Sequence, residues 1–140
     1  MMDIWLSQCF LLVAVHVLQG TQSSSFIRLD SHLKSVDVGD NVTLHCFYQG
    51  VTGMNLSWYR QTLGDKPQLV STMYMYEKKA RLHNEFEDDS RFSVQRDEGT
   101  YQLIISDVQP SDSAMYFCSK TYDSKLEFAD GVFLNVKGMV

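Results

Sequence analysis

The sequence predicts an all-β domain, a sandwich or barrel of short strands that each bury one face. Three observations predict it. From about Phe26 onward the apolar residues recur every second position, with no 3.6-residue period and no long helix. Turn-forming clusters interrupt the alternation at short intervals. Cys46 and Cys118 fall in the inward phase of two different strands, with Trp58 in the inward phase of a third lying between them in sequence.

The elements follow in order. Val42, Leu44 and Cys46 alternate with Asn41, Thr43 and His45, after a turn at Val38-Gly39-Asp40. Leu56 and Trp58 alternate with Asn55, Ser57 and Tyr59 beyond Gln49-Gly50. Leu63-Gly64-Asp65 ends that strand, and two further short strands are expected at Leu69 to Tyr74 and Ala80 to Asn84. The acidic run Glu85-Phe86-Glu87-Asp88-Asp89 reads as a solvated loop. Phe92 and Val94 form the next alternating pair, and Tyr101, Leu103 and Ile105 follow the turn Asp97-Glu98-Gly99. After Gln109-Pro110-Ser111-Asp112 come Ala114, Tyr116 and Cys118, then Leu134 and Val136. Each run places its apolar set on one side of a pleated strand.

The chain of 140 residues suits one domain. Its first twenty residues stand apart: they hold no Lys or Arg, and a mostly apolar stretch from Phe10 to Leu18 is followed by Gly20. That stretch is too short to span a bilayer, and it reads as a cleaved signal peptide over residues 1–20. The domain then covers 21–137, with 138–140 as a C-terminal remnant. Cleavage removes Cys9, and the two cysteines left suit an oxidising compartment, either bridged or as buried thiols. The formal net charge is −5 for the whole chain, too mild to point to nucleic acid or an anionic membrane. No later apolar stretch is long enough for a membrane segment, so a secreted protein or one on the outer side of the plasma membrane is expected.

Taken together, Cys46, Trp58-Tyr59-Arg60-Gln61 and Asp112-Ser113-Ala114-Met115-Tyr116-Phe117-Cys118 resemble the variable (V-set) immunoglobulin domains of antibodies, T-cell receptors and related immune receptors. The resemblance covers Phe26 to Lys137. It implies a variable-type sandwich of two antiparallel sheets with about nine strands. It also implies a disulfide between Cys46 and Cys118 packed on Trp58, a core that includes Leu103, and a tyrosine corner at Tyr116. An Arg91–Asp112 ion pair closes one end in that family. The 32 residues between Trp58 and Arg91 leave room for the two extra strands of the variable type. Phe128-Ala129-Asp130-Gly131 resembles the family's Phe-Gly-x-Gly joining strand, with Ala129 in place of the first glycine. The wording from Gln61 to Leu69 and from Phe133 to Gly138 is most similar to the novel immune-type receptors of bony fish.

Two surfaces are candidates for binding. Three loops, Phe47 to Met54, Met73 to Lys79 and Ser119 to Glu127, should cluster at one end of such a sandwich. They offer Tyr48, Met54, Tyr74, Tyr76, Tyr122, Asp123 and Lys125 as ligand contacts, tyrosine giving rigid area and methionine adaptability. The second surface is a sheet face. Strand parity turns Tyr59, Gln61 and Phe117 outward, with Phe128 beside them, and several aromatics on one face form a patch. In paired V domains the matching positions, with Pro67 and Leu69 at the edge, make the V–V interface. Two glycosylation sequons, at Asn41 and Asn55, both point outward by parity.

No catalytic constellation, metal-ligand spacing, phosphate loop or nucleophile elbow occurs in the sequence, so neither enzyme nor cofactor is expected. The expected role is an immune-receptor variable domain whose loops recognise a cell-surface protein, for instance a histocompatibility-like molecule. The alternatives are an adhesion or structural V domain binding through the sheet face, and a T-cell receptor or antibody variable chain. A V–V dimer, with itself or another chain, goes with each. The signal-peptide reading predicts that N-terminal sequencing of protein secreted from eukaryotic cells begins close to Thr21; retention of Cys9 would contradict it.

Overall fold

The computed structural model describes residues 26–49, 53–75 and 79–138. The segment read as a signal peptide and the loop residue Tyr76 lie outside them. Among the described residues eleven strands run β1 (Phe26–Leu29), β2 (Leu33–Asp37), β3 (Val42–Gln49), β4 (Asn55–Gln61), β5 (Gln68–Tyr74), β6 (Ala80–Leu82), β7 (Phe92–Asp97), β8 (Thr100–Ile105), β9 (Ala114–Tyr122), β10 (Lys125–Phe128) and β11 (Val132–Lys137). The excess over nine arises because the first and the last strand positions are each split in two, at β1/β2 and β10/β11.

They form two packed sheets. One has the order β1-β3-β8-β7, and the other runs β2-β11-β9-β4-β5-β6 with β10 pairing to β9. Pairing is antiparallel except between β2 and β11, which run parallel from Leu33↔Phe133 to Asp37↔Lys137. The expected sandwich of two antiparallel sheets is therefore present, with this one parallel pairing added at the edge. After Leu29 the chain leaves β3 and joins the other sheet at β11, so the first strand position serves both sheets.

The inward residues alternate as the sequence pattern requires. Val42, Leu44, Cys46 and Tyr48 on β3 meet Leu56 and Trp58 on β4 and Ala114, Tyr116 and Cys118 on β9, all buried. The disulfide joins Cys46 to Cys118, with 6.2 Å between their Cα atoms, and so ties a strand of one sheet to a strand of the other. Closing a loop of 72 residues is worth about 4 kcal/mol in the chain-entropy account. Trp58 lies opposite Cys118 in register, and its indole stands 6.4 Å from the ring of Tyr101, the register partner of Cys46.

Several polar groups in this core are bonded, whereas the Trp58 indole N–H has no hydrogen-bond partner among the described residues. The Tyr101 hydroxyl pairs with the Ser71 hydroxyl, and the Tyr116 hydroxyl donates to the Asp112 carbonyl at 2.7 Å, which makes the tyrosine corner. At the same end Arg91 grips the Asp112 carboxylate through two nitrogens, at 2.6 and 3.0 Å. Asp112 also accepts from the Gln109 backbone at 2.7 Å, and its side chain is only 2% exposed. The pair is therefore no solvated surface bridge. The neighbouring carboxylates raise the Arg91 pKa and keep its charge fixed.

One expectation fails in detail. The acidic run is no loop: Glu85–Asp88 forms a single helical turn, α1, whose Phe86 is buried. That ring meets Phe92 edge-on at 5.0 Å and lies under the Arg60 guanidinium at 4.6 Å. The carboxylates face solvent while the aromatic residue between them plugs the sandwich.

Burial pushes the pKa of both Tyr101 and Tyr116 above the ordinary 10.0. The folded state therefore holds two protons that the unfolded chain releases once pH passes about 10. Stability from these two groups is complete below that pH and declines above it. Denaturant midpoints measured from pH 8 to 11 should fall above pH 10, and less steeply in Tyr101→Phe, which has one such proton fewer.

Candidate functional site

The register assigns an outer face to the larger sheet, because partners directly opposite each other share a side. Asn55 stands opposite Thr121, Ser57 opposite Ser119, Tyr59 opposite Phe117 and Gln61 opposite Met115. Leu69 extends the Tyr59 row on β5, and Phe128 and Leu126 stand opposite Ser119 and Thr121 on β10. The three aromatics expected there do meet. The Phe128 ring lies 5.6 Å from Tyr59 and 6.3 Å from Phe117, tilted or edge-on to each. Phe128 is nevertheless 52% exposed, and with Tyr59 and Phe117 beside it that exposure belongs to an aromatic patch, not to a single scattered ring. Pro67, Gln61, Phe117 and Phe128 line a concavity of about 430 Å³ together with Asp130 and Gly131.

Sequence reasoning missed part of this face. Met115 continues the row to Phe133 and Leu33, and Leu33, Phe133 and Leu126 are all well exposed. For Phe133 its parity between Val132 and Leu134 was the available signal. Gln61 also differs from expectation, since its amide nitrogen donates to the Asp65 carbonyl at 3.0 Å within its own chain. The Gln61 oxygen then remains to accept from a partner.

The loop end is smaller than the sequence suggests. Tyr48 and Met54 are buried, not loop contacts. β3 runs on to Gln49, so Tyr48 keeps the inward phase of Cys46, and its hydroxyl accepts from the Arg96 side chain at 3.3 Å. Met54 directly precedes β4 and keeps the phase of Leu56. Met73 likewise fills the core. Tyr74, Tyr122, Asp123 and Lys125 are exposed.

The third loop is a hairpin. β9 continues through Tyr122 and β10 starts at Lys125, so only Asp123 and Ser124 turn, both at positive φ (51° and 60°). Ser119 and Lys120 are buried on β9, and the Lys120 ammonium pairs with Glu127 across the ladder at 3.2 Å. Beyond Phe128, Ala129 tucks inward and its N–H donates to the Cys118 carbonyl at 2.8 Å. The chain then shifts at Asp130-Gly131 before β11, so the joining strand keeps its break without the first glycine.

Residues 30–137 match the immunoglobulin V-set domain, and the chain belongs to that family. Over 108 residues it is 30% identical to the T-cell receptor alpha chain V region 2B4 of Mus musculus, covering 73% of this chain and 76% of that one. It is 31% identical over 101 residues to the Ig kappa chain V region 120 of Oryctolagus cuniculus, covering 72% and 87%. In fold it is similar to a marsupial T cell receptor, with a TM-score of 0.74 at 19% identity, covering 84% of this chain and 53% of that one. A chain from a structure of T cell specificity and activation by the bacterial superantigen toxic shock syndrome toxin-1 gives a TM-score of 0.70 at 20% identity, covering 81% and 100%. Among the described residues no helix is long and apolar enough to cross a membrane, and no group of His, Cys, Asp and Glu is placed to hold a metal ion.

Gly131 shapes the face. A Cβ there would come within 2.6 Å of the Phe117 ring and 2.8 Å of the Met115 methyl. Gly131→Ala must displace both side chains, at a cost of about 1–3 kcal/mol for such overpacking. A lowered denaturation midpoint with changed Phe117 ring shifts by NMR is the expected result; unchanged shifts would contradict the packing.

Proposed function

We propose that this chain is the variable domain of an immune receptor that recognises a protein ligand on a cell surface through the hairpin end of its sandwich. A second V domain, a copy or another chain, covers the outer face of the larger sheet. The hairpin β9–β10 carries this reading because it serves both surfaces. Its tip presents Tyr122, Asp123 and Lys125 at the same end of the sheet as Tyr74 of β5, with β4 between them, while Phe128, at its base, joins Tyr59 and Phe117 on the face. A two-residue turn holds these side chains on a ladder, which lowers the ordering cost of binding. The similarity to T-cell receptor and antibody variable regions supports the assignment to immune recognition. The finer resemblance to novel immune-type receptors, a secreted or cell-surface location and the signal peptide complete the proposal.

The two sequons fit it unequally. Asn41 is exposed ahead of β3, and its side-chain oxygen accepts from the Asp107 N–H at 3.0 Å, which leaves the amide nitrogen to carry a glycan clear of both surfaces. Asn55 shares the outer face with Tyr59, about 14 Å along the strand, where a glycan would crowd a partner.

A second reading, adhesion through the sheet face with the hairpin tip uninvolved, is favoured by the size of the apolar face. A cell-surface ligand screen with the multimerised domain, followed by alanine scanning, separates them. Tyr122→Ala is expected to cost about 2 kcal/mol or more of ligand affinity, as an anchoring aromatic does, with Tyr59→Ala far less. The opposite ranking would establish the adhesion reading. Gln61→Arg should shift a dimer toward monomer in analytical ultracentrifugation while near-UV circular dichroism stays native.

A further inference from the structure

The hairpin leaves one strand edge open. In a two-residue turn of this kind the flanking residues, here Tyr122 and Lys125, exchange both backbone bonds, and bonded pairs recur every second residue. The bond from the Ala129 N–H to the Cys118 carbonyl is in that phase. Lys125, Glu127 and Ala129 therefore direct their backbone groups toward β9, and Leu126 and Phe128 direct theirs away. Among the described residues no strand pairs with β10 on that outer side, since β2 reaches only β11. All four residues of β10 are exposed.

We infer that this edge pairs with the same edge of a second copy, antiparallel, about a twofold axis at Leu126. The inference goes beyond the proposed function, because it uses a backbone edge and leaves the outer face free. Charge selects both the occupant and the register. An axis at Glu127 would set two carboxylates against each other in the close, non-bonded type of pair. An axis at Phe128 would run past the end of the strand. With the axis at Leu126, Lys125 of each copy faces Glu127 of the other, twice, and Leu126 faces Leu126. Glu127 already holds Lys120 of its own chain at 3.2 Å, so it would lie between two ammonium groups. Single charges on an edge normally deter strand addition. Here they have opposite sign and stand two residues apart, so an antiparallel copy neutralises both. A strand of arbitrary sequence lacks this match. The pairing would also run the larger sheet through both molecules, with the two Leu126 side chains adjacent on the outer face.

Cross-linking tests this directly on the mature, disulfide-intact domain. The axis brings the two Leu126 Cα atoms to about 5.5 Å, within the range a disulfide bridges. Leu126→Cys should form a covalent dimer in a glutathione buffer much faster than Ser124→Cys, which is also exposed but off the axis. It should do so equally well with Gln61→Arg added. Leu126→Pro removes an N–H that points away from β9, so the hairpin ladder survives, and the dimer dissociation constant should rise about tenfold or more. Lys125→Glu, which puts like charges opposite each other, should weaken the dimer too and serves if Leu126→Pro alters the near-UV circular dichroism. Cross-linking of Leu126→Cys no faster than of Ser124→Cys, or its loss with Gln61→Arg, would overturn the inference. So would a wild-type domain that stays monomeric at high concentration, or self-association that neither Leu126→Pro nor Lys125→Glu weakens.

Discussion

The bridge between β3 and β9, with Trp58 beside it, is the constraint on which the rest of the molecule depends. Cys46 faces Tyr101 across one sheet and Cys118 faces Trp58 across the other, so four residues in two register pairs define the centre of the sandwich. Side chains alternate with a period of two, and a slip of one residue on β9 would exchange every inward and outward position. Holding Cys118 inward therefore holds Phe117 outward. The same choice sets the hairpin, because β10 takes its register from β9. The chemistry of the outer face is a consequence of a bond on the inner one.

Much of this was legible in the sequence because burial on one face leaves a strict alternation. Trp58, Leu103 and Tyr116 lie in the core where parity sets them, and Arg91 reaches Asp112. The misread strand ends share a cause: a strand's last residues look like loop until the strand is known to continue. Tyr48 and Met54 look like loop residues until β3 is known to continue and Met54 to keep the phase of β4, although the series 42-44-46-48 and 54-56-58 was there to extend. The segment from Ser119 to Glu127 reads as a loop because Asp123-Ser124 is a weak turn signal compared with Asn-Gly or Asp-Gly. Its two positive-φ residues become evident only in the backbone. Phe86 was hidden by its acidic neighbours, since one buried aromatic in a single helical turn leaves no periodic trace. The parallel pairing of β2 with β11 joins segments about a hundred residues apart, which no local pattern reports.

The proposed division of labour between the two surfaces rests on where rigidity lies. The face is built on β4, β9 and β5, laddered on both sides, and its aromatics pack on one another. The end of the sandwich offers a short hairpin tip and the end of β5, whose tyrosines need little ordering on binding. Under the proposed function, recognition at the tip and association on the face would be linked through the β9–β10 hairpin, so that a partner settling Phe128 would also steady Tyr122 and Lys125. Such coupling raises affinity without any new contact to the ligand.

The central claim is that the outer face around Tyr59, Phe117 and Phe128 is covered by a second V domain while the hairpin tip remains free for ligand. Backbone and aromatic NMR shifts followed over a concentration series, or a titration with the natural partner chain, test it residue by residue. The account predicts perturbations centred on Tyr59, Gln61, Leu69, Phe117 and Phe128, with Tyr122 and Asp123 little changed. Perturbations centred on the outer side of the β1-β3-β8-β7 sheet, or on the hairpin tip alone, would contradict it.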